Sequence, residues 1–154
     1  MEPNEPLWAQ VTLPALLRHA RTTYGTAMRN ALAEGGYDDV PANGMYVIGA
    51  LAWGEAPLSQ IIRELRVSKQ AAGQLVDALV LRGYLGREVD ASDRRRLTVT
   101  LTERGKAAAE AQTKAREAID AELLARLDAT KIAHAREVLA TLIGMREERE
   151  EAGE

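Results

Sequence analysis

LSQIIRELRVSKQAAGQLVDALVLRGYLGREVDASDRRRLTVTLTERG, residues 58–105, changes its period along its length. From Leu58 to Leu65 the apolar residues Ile61, Ile62 and Leu65 fall at helical spacing, which predicts a short helix. Ser68 opens a second helical run to about Arg82, with Ala72, Leu75, Val76, Leu79 and Val80 facing inward and Gly83 closing it. The period then drops to two. Tyr84–Val89 and Leu97–Leu101 read as strands, the second held to a core by Leu97, Val99 and Leu101. A short helix, a tight turn, a longer helix and a hairpin make the winged helix-turn-helix arrangement. In that design the second helix enters the DNA major groove, and the hairpin reaches along the backbone or into the minor groove.

The flanks are helical. Thr12 to about Glu34 carries apolar residues three and four apart, with Thr12 a candidate N-cap, Pro14 in the first turn and Gly35-Gly36 as the exit. A loop over 37–43 leads to a helix from about Asn43 to Trp53, broken by residues 54–57. After the hairpin, Thr102 is an N-cap for an Ala-rich helix to about Leu127. A last helix spans about Ala129 to Glu148, and the tail REEREEAGE is expected to fray. The fold expected is mainly α with a small β-hairpin wing. It forms one domain over 1–154, with a lobe at 43–102 and helical dimerisation regions at 12–34 and 103–148.

Composition agrees with a helical protein. Of 154 residues 46% are hydrophobic, yet 4% are aromatic and none is Phe, so Ala, Leu and Val make the core. No cysteine is present, which excludes disulfides, thiolate metal sites and thiol redox sensing. No window approaches ~18 uninterrupted apolar residues. The start, MEPNEPLWAQ, is acidic and proline-bearing, unlike a signal peptide. A soluble cytoplasmic protein is expected.

The net charge is -3, but its distribution is uneven. Between Pro57 and Lys106 ten Lys and Arg meet six Asp and Glu; the remaining residues carry ten basic against seventeen acidic groups. The basic excess thus lies where the winged lobe is expected, and the rest of the chain repels polyanions.

In the Ser68 helix the side chains away from the core are Lys69, Gln70, Gly73, Gln74 and Asp77. Gln70 and Gln74 lie four apart on one face, and a glutamine amide can bond bidentately to adenine. Ser68 and Lys69 at the helix start suit phosphate, because free N–H groups point outward there. A solvated polar face with a serine cap is the plainer alternative. The arginines Arg94, Arg95 and Arg96 cannot all be neutralised by Asp93, and arginine is favoured in a narrow minor groove. A charged loop that only aids solubility is the competing reading.

These residues resemble the MarR-type transcriptional regulators. The resemblance rests on Asp-x-Arg at Asp93 and Arg95, on Leu-Thr-x-x-Gly at Leu101, Thr102 and Gly105, on the Val-Ser-Lys-Gln opening at 67–70, and on the Leu-x-x-Arg-Gly-Tyr exit at 79–84. It implies a homodimer whose first and last two helices interlock beneath two winged lobes on a pseudo-palindromic double-stranded operator. It further implies that Arg95 enters the minor groove, that Asp93 braces it, and that Ser68, Lys69, Gln70 and Gln74 form the recognition surface; Arg94 and Arg96 beside Arg95 are expected on phosphates. Members typically repress and leave DNA when a small, often phenolic, effector binds. A winged-helix protein-interaction module without DNA binding is the alternative function.

Two departures stand out. Arg66 occupies a turn position that is commonly Gly in the family, and the thiol-sensing branch needs a cysteine this chain lacks. The small apolar residues Ala107, Ala108, Ala109, Ala111, Ala115 and Ala118, with Leu139, Leu142 and Ile143, exceed what one two-helix arm can bury, which argues for a partner surface. His19 and His134 lack compact ligand spacing, so no metal or cofactor is expected. No nucleophile–base pair or phosphate-cradling glycine loop is present, so no enzyme is expected. Trp8, Tyr24, Tyr46 and Trp53 are candidates for an effector pocket, though core or dimer packing is the commoner fate of such residues, and no ligand residue is assigned.

Overall fold

The computed structural model describes residues 7–54, 58–89, 92 and 97–153. After a 3-10 turn at Leu7–Gln10 come α1 (Leu13–Glu34), α2 (Gly44–Trp53), α3 (Leu58–Glu64) and α4 (Lys69–Leu81). A hairpin of β1 (Leu85–Val89) and β2 (Leu97–Leu101) follows, then α5 (Glu103–Arg126) and α6 (Ala129–Ala152). The mainly helical chain with one antiparallel hairpin is the architecture expected from residues 58–105.

Thr12 has the extended backbone of an N-cap, and its carbonyl accepts from the Ala15 and Leu16 amides at 3.0 Å. Its hydroxyl makes no capping bond, so position rather than side-chain chemistry starts α1. At the exit Gly35 stays right-handed, and Gly36, with φ 80°, takes the left-handed conformation. The second residue of the Gly pair needs glycine for its conformation, and at the first a Cβ would lie 2.8 Å from the Tyr37 ring. Asp128 caps α6 through its side chain, which accepts from the Lys131 amide at 2.9 Å.

Two element bounds differ from the sequence reading. Tyr84 belongs to the helix exit rather than to β1, because its amide donates to the Leu79 carbonyl at 2.9 Å. The helix α6 does not fray at Glu148 but continues to Ala152, with Gly153 as a left-handed C-cap. Glu and Arg are good helix formers, and Arg146 and Glu150 pair one turn apart at 3.9 Å.

The chain divides into two compact units, the first ending at Arg116 and the second running Glu117–Glu154. The first unit holds a core of Leu32, Val47, Ile48, Ile61, Leu79, Tyr84, Leu85, Ala108 and Ala109, drawn from α1 to α5 and β1. Leu75, Val80, Val99 and Leu101 pack against it. In the second unit no residue of α6 is buried, and Val138, Leu139, Leu142, Ile143 and Met145 are exposed. Among the described residues no helix is long and apolar enough to cross a membrane, and no three His, Cys, Asp or Glu gather as a metal site.

Candidate nucleic-acid interface

Helix α4 begins at Ser68, whose extended backbone and Oγ, accepting from the Ala71 amide at 3.1 Å, fix the first turn. That bond occupies part of the hydroxyl that the sequence offers to phosphate. Ala72 and Leu79 are buried on the inner face. Lys69, Gln70, Gly73, Gln74 and Asp77 are all exposed, so the polar residues expected to read DNA share the uncovered face. The helix is seated from behind, because a Cβ at Gly44 would lie 2.9 Å from Leu79 Cδ2; α2 therefore starts against α4 only with glycine there. The turn ahead of α4 contains Arg66, whose φ of 52° is positive.

The wing pairs Leu85 with Leu101, Gly86 with Thr100, Arg87 with Val99, Glu88 with Thr98 and Val89 with Leu97. Leu85 is buried and Val99 and Leu101 lean on the core, so the base of the hairpin is anchored by alternate residues. Arg87 of β1 pairs with Asp77 of α4, tying the wing to the exposed face of the helix. Sequence spacing alone did not reveal this strut. The signal available was a lone acid on the polar face and a lone base on the first strand. Asp93, Arg94, Arg95 and Arg96 fall in the connection between the strands and lie outside the described residues.

Where the hairpin meets α5, residues from three distant stretches of the chain converge. The Tyr84 hydroxyl donates to Asp39 Oδ1, and Arg104 Nη2 donates to the same oxygen at 3.1 Å and to the Tyr84 hydroxyl oxygen at 3.0 Å. The Arg104 guanidinium also lies 4.6 Å from the Tyr84 ring centre and 5.4 Å from that of Tyr37, within cation–π range. Arg82 Nη1 donates to the Asp39 carbonyl oxygen. Burial first, then the bond to Asp39, pushes the Tyr84 phenol up to about 12, while that same hydrogen bond holds the Asp39 carboxyl below its ordinary value.

The Leu-Thr-x-x-Gly pattern has a structural cause here. Thr102 donates its hydroxyl to the Gly83 carbonyl and accepts from the Gly105 amide at 3.0 Å, so it caps α5 and ties it to the end of α4. Its amide donates to the Tyr84 carbonyl at 3.1 Å. A Cβ on Gly105 would collide with that same carbonyl oxygen and lie 2.9 Å from Leu101 Cδ2. Glycine lets the first turn of α5 sit against the backbone that starts the wing.

Of the aromatic residues considered for a pocket, Trp8, Tyr46 and Trp53 are exposed and Tyr24 is half-buried. Tyr46 donates to Glu64, joining α2 to α3, and the Arg116 guanidinium lies 5.2 Å from the Trp53 ring centre. One polar group went unread in the sequence. Gln112 of α5 is 5% exposed beside Gly49 of α2, and its Nε2 has no partner among the described residues.

Comparison with known proteins agrees with this architecture. The MarR family model matches residues 39–96, from the Asp39 anchor through the strand connection. No curated protein sequence matches the chain. Among solved structures, Streptococcus pneumoniae FabT in complex with DNA is similar at TM-score 0.72 and 20% identity, covering 88% of this chain and 94% of that one. The S. aureus MepR–DNA complex is similar at TM-score 0.68 and 20% identity, covering 88% and 98%. MarR from E. coli in its apo form is similar at TM-score 0.61 and 21% identity, covering 90% and 98%. The chain thus shares the fold of these structures, and residues 39–96 are similar to the MarR family model.

Proposed function

We propose that this chain is a homodimeric, sequence-specific DNA-binding transcriptional regulator, a cytoplasmic repressor that a small-molecule effector releases from its operator. One observation carries the reading. The uncovered face of α4 presents Lys69, Gln70 and Gln74 beside a wing whose connection carries Arg94, Arg95 and Arg96. This is also the stretch in which an acidic chain concentrates its basic residues. The similar FabT and MepR structures are DNA complexes, and the family is one of transcription regulators rather than enzymes.

In the mechanism this implies, the start of α4 enters the major groove. Gln70 and Gln74 read base edges, and Ser68 and Lys69 hold phosphate. The wing follows the backbone, with Arg95 in the minor groove, Asp93 orienting it and Arg94 and Arg96 on phosphates. The uncovered apolar residues of α6 support a second copy as partner. An effector is supported by the buried Gln112 Nε2, which has no partner among the described residues, since a buried polar group is normally satisfied.

Operator fragments selected from random duplexes supply the test. Arg95→Ala should weaken binding sharply while sedimentation still reports a dimer, and unchanged affinity would remove the wing from the mechanism. Gln74→Ala should alter sequence preference more than salt dependence.

A further inference from the structure

The turn between α3 and α4 keeps a residue in a conformation that its side chain disfavours. Arg66 has φ 52°, and among the described residues it is the only non-glycine with positive φ; Gly36, Gly54, Gly83 and Gly153 take the others. In the left-handed region a Cβ crowds the following carbonyl, so glycine or asparagine would make this turn with less strain. The backbone leaves little choice of geometry. The Leu65 amide donates to the Ile61 and Ile62 carbonyls, the Arg66 amide to that of Arg63 at 3.1 Å, and Ser68 then caps α4. The strain is a property of the residue type, not of the turn.

Arg66 is exposed and has two cationic neighbours at equal spacing. Arg63 stands in the last turn of α3 and Lys69 is the first residue of α4, so three exposed cations three residues apart straddle the turn. A guanidinium offers a planar fork that matches phosphate oxygens, which neither glycine nor asparagine supplies.

We propose that Arg66 is a DNA-backbone contact, an arginine retained at a left-handed turn position because its guanidinium closes on a phosphate beside the start of α4. The assignment rests on the DNA-binding reading above and adds a residue outside both the recognition face and the wing. A phosphate contact carries no sequence information, so its loss shows on any duplex and in the salt dependence.

The test is fluorescence anisotropy of a labelled mixed-sequence duplex across a salt series, with the full chain and its Arg66→Gly, Arg66→Asn and Arg66→Lys variants. Glycine and asparagine both suit the backbone, and an unchanged or raised thermal midpoint in either separates lost binding from lost folding. Each should bind roughly tenfold more weakly at low salt. Each should also show a log–log salt slope shallower by about 0.9 per phosphate contact removed. Lysine should recover most of that slope. If glycine and asparagine leave affinity and slope unchanged, the Arg66 assignment falls and the regulator reading stands. If the unaltered chain binds no duplex at low salt, both fall.

Discussion

Gly105 shows how one missing Cβ fixes the relation between a wing and the helix after it. Helix propensity favours alanine over glycine by about 1 kcal/mol. Here the new methyl would meet the Tyr84 carbonyl oxygen, a backbone atom already held by the Thr102 amide. Overpacking of this kind costs about 3 kcal/mol and outweighs the propensity gain. Gly105→Ala should therefore lower stability in a urea titration, and a stabilised variant would show that α5 does not need this approach. Tyr84 provides a second residue-scale prediction. Its phenol is held at about 12 against an ordinary 10.0, so the protonated form is the one the fold favours. The stability this contributes is complete below pH 10 and declines as the pH rises toward 12, because the unfolded chain loses the proton first. Ultraviolet titration of the four tyrosines should show a late phase that Tyr84→Phe removes.

At the scale of elements, periodicity in residues 58–105 was enough to order the short helix, turn, longer helix and hairpin, because each buries one regular face. The glycines at 36, 54 and 83 also marked three exits, each now with positive φ. Contacts between elements were not legible. Asp39, Tyr84 and Arg104 are 45 and 20 residues apart, and nothing local about an Asp in a loop announces that it will accept from a buried phenol. Tyr84 itself reads as strand by residue type, yet the preceding helix claims its amide. The polar face of α4 was legible as exposed positions. The Arg87–Asp77 strut beside it was not, since it needs the register of β1 against α4. Both partners are well exposed, at 45% and 68%, so the pair should orient the wing more than it stabilises the fold. A double-mutant cycle with Arg87→Ala and Asp77→Ala should give a coupling below about 1 kcal/mol in unfolding. A coupling several times larger would make the strut a stabilising element.

At the scale of the whole molecule, charge and apolar surface are segregated. Basic residues concentrate in the winged lobe, while the last helix buries none of its residues and leaves an apolar stripe open. Val138, Leu142 and Met145 recur along that stripe four and three residues apart, with Leu139 and Ile143 beside them. Burying a leucine or isoleucine fully is worth about 1.5–3 kcal/mol, so several such residues covered by a second copy would offset the entropy of association. The proposed dimer makes a joint demand on two measurements. Ile143→Asp places a carboxylate on the stripe at the position most open in the single chain, 53% exposed, so little packing within that chain is disturbed. Helix content and the melting of the winged lobe should stay near those of the unaltered chain, while sedimentation velocity should shift from dimer to monomer. Operator affinity should then fall by about 100-fold, because two half-sites are no longer engaged by one linked pair of lobes. Non-specific binding per lobe should change little, since α4 and the wing are untouched. A variant that stays dimeric would move the interface off this helix, and a monomer with full operator affinity would mean that a single lobe reads the site.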